Sequence, residues 1–123
     1  MSRTAEEWGR IAVSLPGWRW MPGMLDTAGD RLGEVTLHDG VRAVTAPPWW
    51  TYGWRERLPD PDDPATEGCM VRLLGPVHEA VWYTGDCDRW VVAVGEERRL
   101  YTSLGRACIA AAAAIGRWPG GEE

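Results

Sequence analysis

The sequence predicts an α+β fold in which antiparallel sheets are covered by helices, in the order α-βββ-α-βββ-α. Three observations carry this. Apolar residues recur at helical spacing in three segments, each opened by a capping residue. Between the segments lie short alternating runs joined by tight turns, which implies antiparallel pairing. The strands follow one another directly instead of alternating with helices, which argues against a parallel sheet.

Thr4 with Glu7 three residues on forms a capping box, and Ala5, Trp8, Ile11, Ala12 and Leu15 give the first helix one apolar stripe. Pro16 stops it. Residues 16–24, P-G-W-R-W-M-P-G-M, read as a short strand with Trp18 and Trp20 on one face and Arg19 opposite. Residues 32–45 read as a hairpin, Val35 and Leu37 going out and Val41, Ala43 and Thr45 returning around a type I′ turn at Asp39-Gly40. Residues 46–62 form a long connection rich in Pro and Trp, of the length that often carries function.

Asp63 caps the second helix, Pro64 suits its first position, and Ala65, Cys69, Met70, Leu73 and Leu74 make its stripe. Gly75 ends it in a left-handed turn, followed by Pro76. Strands are expected over Val77 to Thr84, Arg89 to Val94 and Arg99 to Thr102. Ser103 caps a third helix over 104–115, with Leu104, Cys108, Ala111, Ala112 and Ile115 on one side. The expected domain covers 1–118, with two pseudo-repeats (4–45 and 63–117) joined by the 46–62 loop, and 119–123 as a disordered tail.

The net charge of -5 argues against a general nucleic-acid binder. All 13 basic residues are Arg, and Lys, Phe, Asn and Gln are absent. The codons of Lys, Phe and Asn suggest a GC-rich genome, so Arg usage by itself says nothing of function. No apolar run is long enough to span a bilayer. Three separated cysteines without a C-x-x-C pair speak against a zinc site, and with no signal peptide the expected compartment is a reduced bacterial cytoplasm. No cofactor or metal is expected. Cys69 and Cys108 fall on helix stripes and read as core. Asp60, Asp62 and Asp63 read as a cap and a solvated turn, since their spacing does not match a calcium loop.

Two motifs, L-P-G-W-R-W-M-P-G-M at 15–24 and L-P-D-P-D-D-P-A-T-E-G-C-M at 58–70, resemble a family of small phage and prophage proteins. In that family a W-x-V strand and an alanine-rich helix follow, as Trp90 to Val92 and Ser103 to Ile115 do here. The second half is similar to a phage α-β-α sandwich domain. The resemblance implies a phage origin and this kind of fold, and no catalytic residues; the W-W-T-Y-G-W-R-E-R loop lies outside its pattern.

Nothing in the chain supplies a nucleophile constellation or a phosphate loop, so the expectation is a binding protein and not an enzyme. The candidate ligand-binding residues are Trp18, Arg19 and Trp20, with Trp49, Trp50, Tyr52, Trp54 and Arg55 of the loop. Their rings can stack on a base or hold a cation, and Arg can meet a phosphate. With no Phe to fill the core, Trp8, Trp82 and Trp90 are expected to be structural. The expected role is a phage accessory protein that sequesters a nucleotide-like signal to counter a host defence. The alternatives are an interaction module that contacts a host protein or forms a homo-oligomer, and a minor virion component.

Overall fold

The computed structural model describes residues 3–29, 31, 35–38, 41–46, 50–53, 58–94 and 97–121, with backbone alone in the first three strands. The order is α1 (Ala5–Ser14), β1 (Val35–His38), β2 (Val41–Ala46), β3 (Trp50–Gly53), α2 (Pro64–Leu74), β4 (Val81–Thr84), β5 (Arg89–Val94), β6 (Glu97–Tyr101) and α3 (Leu104–Ile115). The strands form two antiparallel sheets, ordered β1-β2-β3 and β4-β5-β6. The chain is therefore α+β, with helix and three strands occurring twice before the last helix.

Local chemistry accounts for the helix starts. The Thr4 hydroxyl accepts the Glu7 N–H at 3.1 Å, Asp63 accepts the Thr66 N–H at 3.0 Å, and Ser103 accepts the Arg106 N–H at 3.2 Å. Gly116, in the left-handed region at φ 93°, ends α3, and its N–H returns to Ala112 O at 2.7 Å. Gly75 also has a positive φ, 60°, but its ψ of -132° lies outside the left-handed helical region. A 3₁₀ turn over Gly75–Ala80 follows, so the strand expected from Val77 begins only at Val81. Pro76 stands at the second position of that turn, within its first turn, where its missing N–H costs no hydrogen bond.

The expected strand at 16–24 is not one. Leu15-Pro16-Gly17-Trp18 and Met21-Pro22-Gly23-Met24 are two Pro-Gly turns, each closed by the fourth residue's N–H on the first residue's carbonyl, at 3.3 and 3.2 Å. Gly17 and Gly23 take φ of 88° and 94°, as the second corner of a type II turn requires. Extended pairing comes later instead: Thr27 N–H reaches Leu58 O and Asp60 N–H reaches Leu25 O, both at 2.9 Å. The third strand of the first sheet is Trp50–Gly53, inside the segment read as a loop. Its Trp-Thr-Tyr run has high strand propensity, which the neighbouring prolines obscured.

The core lies among α1, α2, α3 and the inner face of β4-β5-β6. Met24, Met70, Leu74, Ile109 and Trp118 are fully buried in it. Trp118 is the largest side chain that is fully buried among the described residues. Its Nε1–H donates to Ala12 O at 3.0 Å and its backbone N–H to Pro16 O at 2.8 Å. Past it, Pro119–Gly121 form a 3₁₀ turn with Gly121 buried, so the chain stays packed through residues expected to form a loose tail. Within the second sheet, Val92 and Trp90 face the helices, while Trp82 and Leu100 flank Val91 on the outer face. Trp82, expected to be structural, is 38% exposed, and the Arg98 guanidinium lies 5.7 Å from its ring centre.

Candidate functional site: an aromatic and arginine cleft

Trp8 sits in the first full turn of α1 because the Thr4 cap sets the phase of the helix, turning Trp8, Gly9 and Ala12 inward. Tyr101 ends β6, where its row crosses Trp90 and Tyr83 on the inner face of the sheet. The two rings meet edge to face at 5.8 Å and 81°. Tyr83 stacks on Trp90 at 5.3 Å, and its hydroxyl is held by Asp88. One aromatic row thus runs along the sheet and ends against α1.

A cleft of about 320 Å³ opens where this row meets the helices. Ile11, Val92 and Ala110 line its apolar side, and Ala113 and Ala114 of α3 complete it. Arg3 and Arg99 also line it. The Arg3 guanidinium carbon stands 5.2 Å from the Trp8 ring centre, within cation–π range. Trp8 is only 6% exposed, so it forms the back wall, while the Tyr101 ring is half-buried and Arg3 and Arg99 are exposed. Among the described residues no carboxylate, thiol, hydroxyl nucleophile or imidazole lines the cleft; the Tyr101 phenol is its one hydroxyl.

The residues singled out from the sequence lie elsewhere. Trp18 and Trp20 meet edge to face at 5.5 Å, and Trp18 also packs on Trp118 at 5.6 Å. Trp20 is 4% exposed and belongs to the core, and the half-buried Trp18 packs against that core. Arg19 borders a second hollow of about 420 Å³ with Arg72, Met21 and Gly120. That hollow has cations, but among the described residues its only aromatic ring is the buried Trp20. Trp50 and Tyr52 are placed in β3, paired with Ala46 and Val44. Trp49, Trp54 and Arg55 lie outside the described residues. The aromatic and arginine chemistry read from the chain therefore recurs at Arg3, Trp8, Arg99 and Tyr101. Arg3 is five residues before Trp8, the one local hint, but no spacing shows that α1 lies beside the end of β6.

Among the described residues, two of the three thiols are inert and two of the carboxylates are engaged. Burial, with Glu67 nearby, pushes the Cys108 thiol up to about 12, and burial also raises Cys69. Both are protonated at neutral pH, and Cys87 is exposed in the β4–β5 turn. Asp63 is held below the usual carboxylate range by Arg31, which binds it through two N–H groups at 2.7 and 3.0 Å, and by Thr66. Burial opposes the ionisation of Asp62, but hydrogen bonds from Arg106 and Ser103 and the Arg106 charge outweigh it and lower its pKa. No group of three His, Cys, Asp or Glu side chains able to hold a metal occurs among the described residues. No described helix is long and apolar enough to cross a membrane. Set against known proteins, the chain matches no family model, no curated protein and no solved structure, so the chemistry of the cleft stands on its own geometry.

Proposed function

We propose that the protein acts by binding, and that its cleft takes a planar, anionic small molecule of the nucleotide class. The observation that carries this reading is the pairing of Arg3 and Arg99 with the Tyr101 face across a cleft of about 320 Å³. That volume falls at the small end of the roughly 300–1,000 Å³ typical of ligand sites. A base would stack on Tyr101 or on a guanidinium plane, and a phosphate would meet the cations. Helix N-termini, the other common phosphate cradle, are filled here by Thr4, Asp63 and Ser103. In a phage accessory protein such binding would serve to sequester a nucleotide-like signal.

Tryptophan fluorescence and melting temperature should shift with at least one member of a panel of mononucleotides, cyclic nucleotides and ADP-ribose-type nucleotides. Tyr101→Leu should then weaken that binding by about ten- to a hundredfold, the usual worth of one aromatic–base stack. If no member of the panel shifts either signal, the reading is wrong.

A second reading, contact with another protein, is favoured by a different surface. Trp82 and Leu100 are 38% and 56% exposed on the outer face of β4-β5-β6. Assembly through this face predicts a concentration-dependent mass in sedimentation that Leu100→Glu abolishes. A constant monomer mass would sink the homo-oligomer version.

A further inference from the structure

Arg106 does not line the cleft, yet it joins the cleft to the rest of the fold. Its guanidinium grips Asp62 with Nε–H on Oδ1 at 2.9 Å and Nη2–H on Oδ2 at 2.8 Å. Its remaining arm, Nη1–H, donates to the backbone carbonyl of Arg3 at 3.2 Å. The backbone of Arg106 is fixed in turn by the Ser103 cap, and Asp62 N–H is fixed on Asp60 Oδ1 at 3.0 Å. One planar group therefore spans α3, the turn before α2 and the residue before the cap of α1.

Arg3 needs such an anchor. It precedes the cap residue Thr4, so its dihedrals are not set by the hydrogen bonds of α1. The first helical bond, Trp8 N–H to Thr4 O at 3.0 Å, begins one residue later. With its carbonyl held by Arg106, Arg3 keeps its guanidinium 5.2 Å from the Trp8 ring centre, at the border of the cleft.

We infer that Arg106 is a positioning residue for the cleft: bound in a two-pronged grip to Asp62, it holds the Arg3 backbone so that the Arg3 guanidinium presents a preset cationic plane to the ligand. This rests on the reading of the cleft as an anion site. Lysine cannot replace Arg106 here, because a single ammonium cannot reproduce the planar fork on Asp62 together with the third bond. Releasing the tether frees one residue's backbone, which should weaken binding of an anion by about five- to thirtyfold.

The test uses the full chain with adenosine monophosphate as the probe and has two readouts. The first is a double-mutant cycle on affinity. Arg106→Lys should weaken binding in the wild-type background and have no further effect once Arg3→Ala is present. Asp62→Asn, on the other side of the fork, should behave like Arg106→Lys, and circular dichroism of both variants checks that the fold survives. The second readout needs no ligand. The Arg3 side-chain protons should lie upfield in the wild type through the Trp8 ring current, and return toward ordinary values in Arg106→Lys and Asp62→Asn. An Arg3 shift unchanged in folded variants, or an equal loss of affinity with and without Arg3, overturns the inference. If adenosine monophosphate does not bind, the ring-current shift still decides the tether while the fluorescence panel decides the cleft.

Discussion

Two glycine-to-alanine changes, both inside helices, should move stability in opposite directions. Gly105 is the second residue of α3, and a Cβ built there would overlap the Pro61 carbonyl. Both sides of that contact are backbone, so no side chain can rotate away. Overpacking of this kind costs about 1–3 kcal/mol, and the absence of a yielding partner puts it near the top. Pushing α3 away also stretches the 2.9 Å bond from Gly105 N–H to Glu67 Oε2, worth about 1 kcal/mol. The helix preference of alanine returns up to about 1 kcal/mol, leaving a net loss of about 3 kcal/mol. Gly68 lies in the interior of α2 and is exposed, with no atom within 4 Å of a built Cβ. There the propensity gain is unopposed, and Gly68→Ala should stabilise by about 0.5–1 kcal/mol. For a chain of this size a loss of 3 kcal/mol lowers the melting temperature by about 10 °C, and the gain raises it by about 3 °C. Urea titration followed by circular dichroism, with equal slopes required for the three proteins, gives the free energies. Gly105→Ala as stable as the wild type, or both variants moving the same way, would refute the close approach of α3 to the Pro61 turn. That approach also brings Arg106 to Asp62, so the outcome bears on the cleft.

Three further outcomes are expected. The Asp63 pKa is depressed, so its contribution is fully present above the unfolded carboxylate pKa of about 3.9 and is lost as pH falls through the lower folded value. Asp63→Asn keeps a capping side chain but not the Arg31 pair, so the fall in its melting temperature below about pH 4 should be shallower than in the wild type; an unchanged acid limb would show that Asp63 does not govern it. Removing residues from Trp118 onward takes a fully buried ring out of the core, which should cost about 3–5 kcal/mol in denaturant titration; a truncated chain of wild-type stability would contradict the packing. Of the three cysteines, only exposed Cys87 should react rapidly with a thiol reagent in the native protein, and Cys69 and Cys108 should follow only with unfolding; fast reaction of two or more thiols would disprove their burial.

Much was legible in the residues because the rules that act over a few positions are strong. Thr4, Asp63 and Ser103 cap the helices at the positions their side chains announce. Gly116 closes α3, and the consecutive strands pair antiparallel, as their short connections imply; the turn expected at Asp39-Gly40 lies outside the described residues. The same rules misled where two local signals competed. Pro16-Gly17 and Pro22-Gly23 look like the bounds of a strand, yet each closes its own turn, and only Arg19 and Trp20 lie between the two turns. Trp50–Gly53 was hidden in the opposite sense, its strand propensity masked by adjacent prolines.

The site was legible only as chemistry. Tryptophan with arginine is what the composition offers, but a ring's address depends on which surface covers it. Trp20 is buried and Trp18 half-buried because Trp118, a hundred residues beyond Trp18 in sequence, folds back onto Trp18 and donates to Ala12. Trp82 is exposed because its strand position faces away from the helices. The cleft exists because α1, α3 and the end of β6 converge, and Arg106 of α3 bonds the carbonyl of Arg3, two residues before α1. The sequence alone determined the class of fold, the helix ends and the kind of groups available for binding, since these depend on neighbours along the chain. Only the tertiary structure decided which rings line a cavity and which fill the core, since that depends on long-range packing that no local pattern encodes.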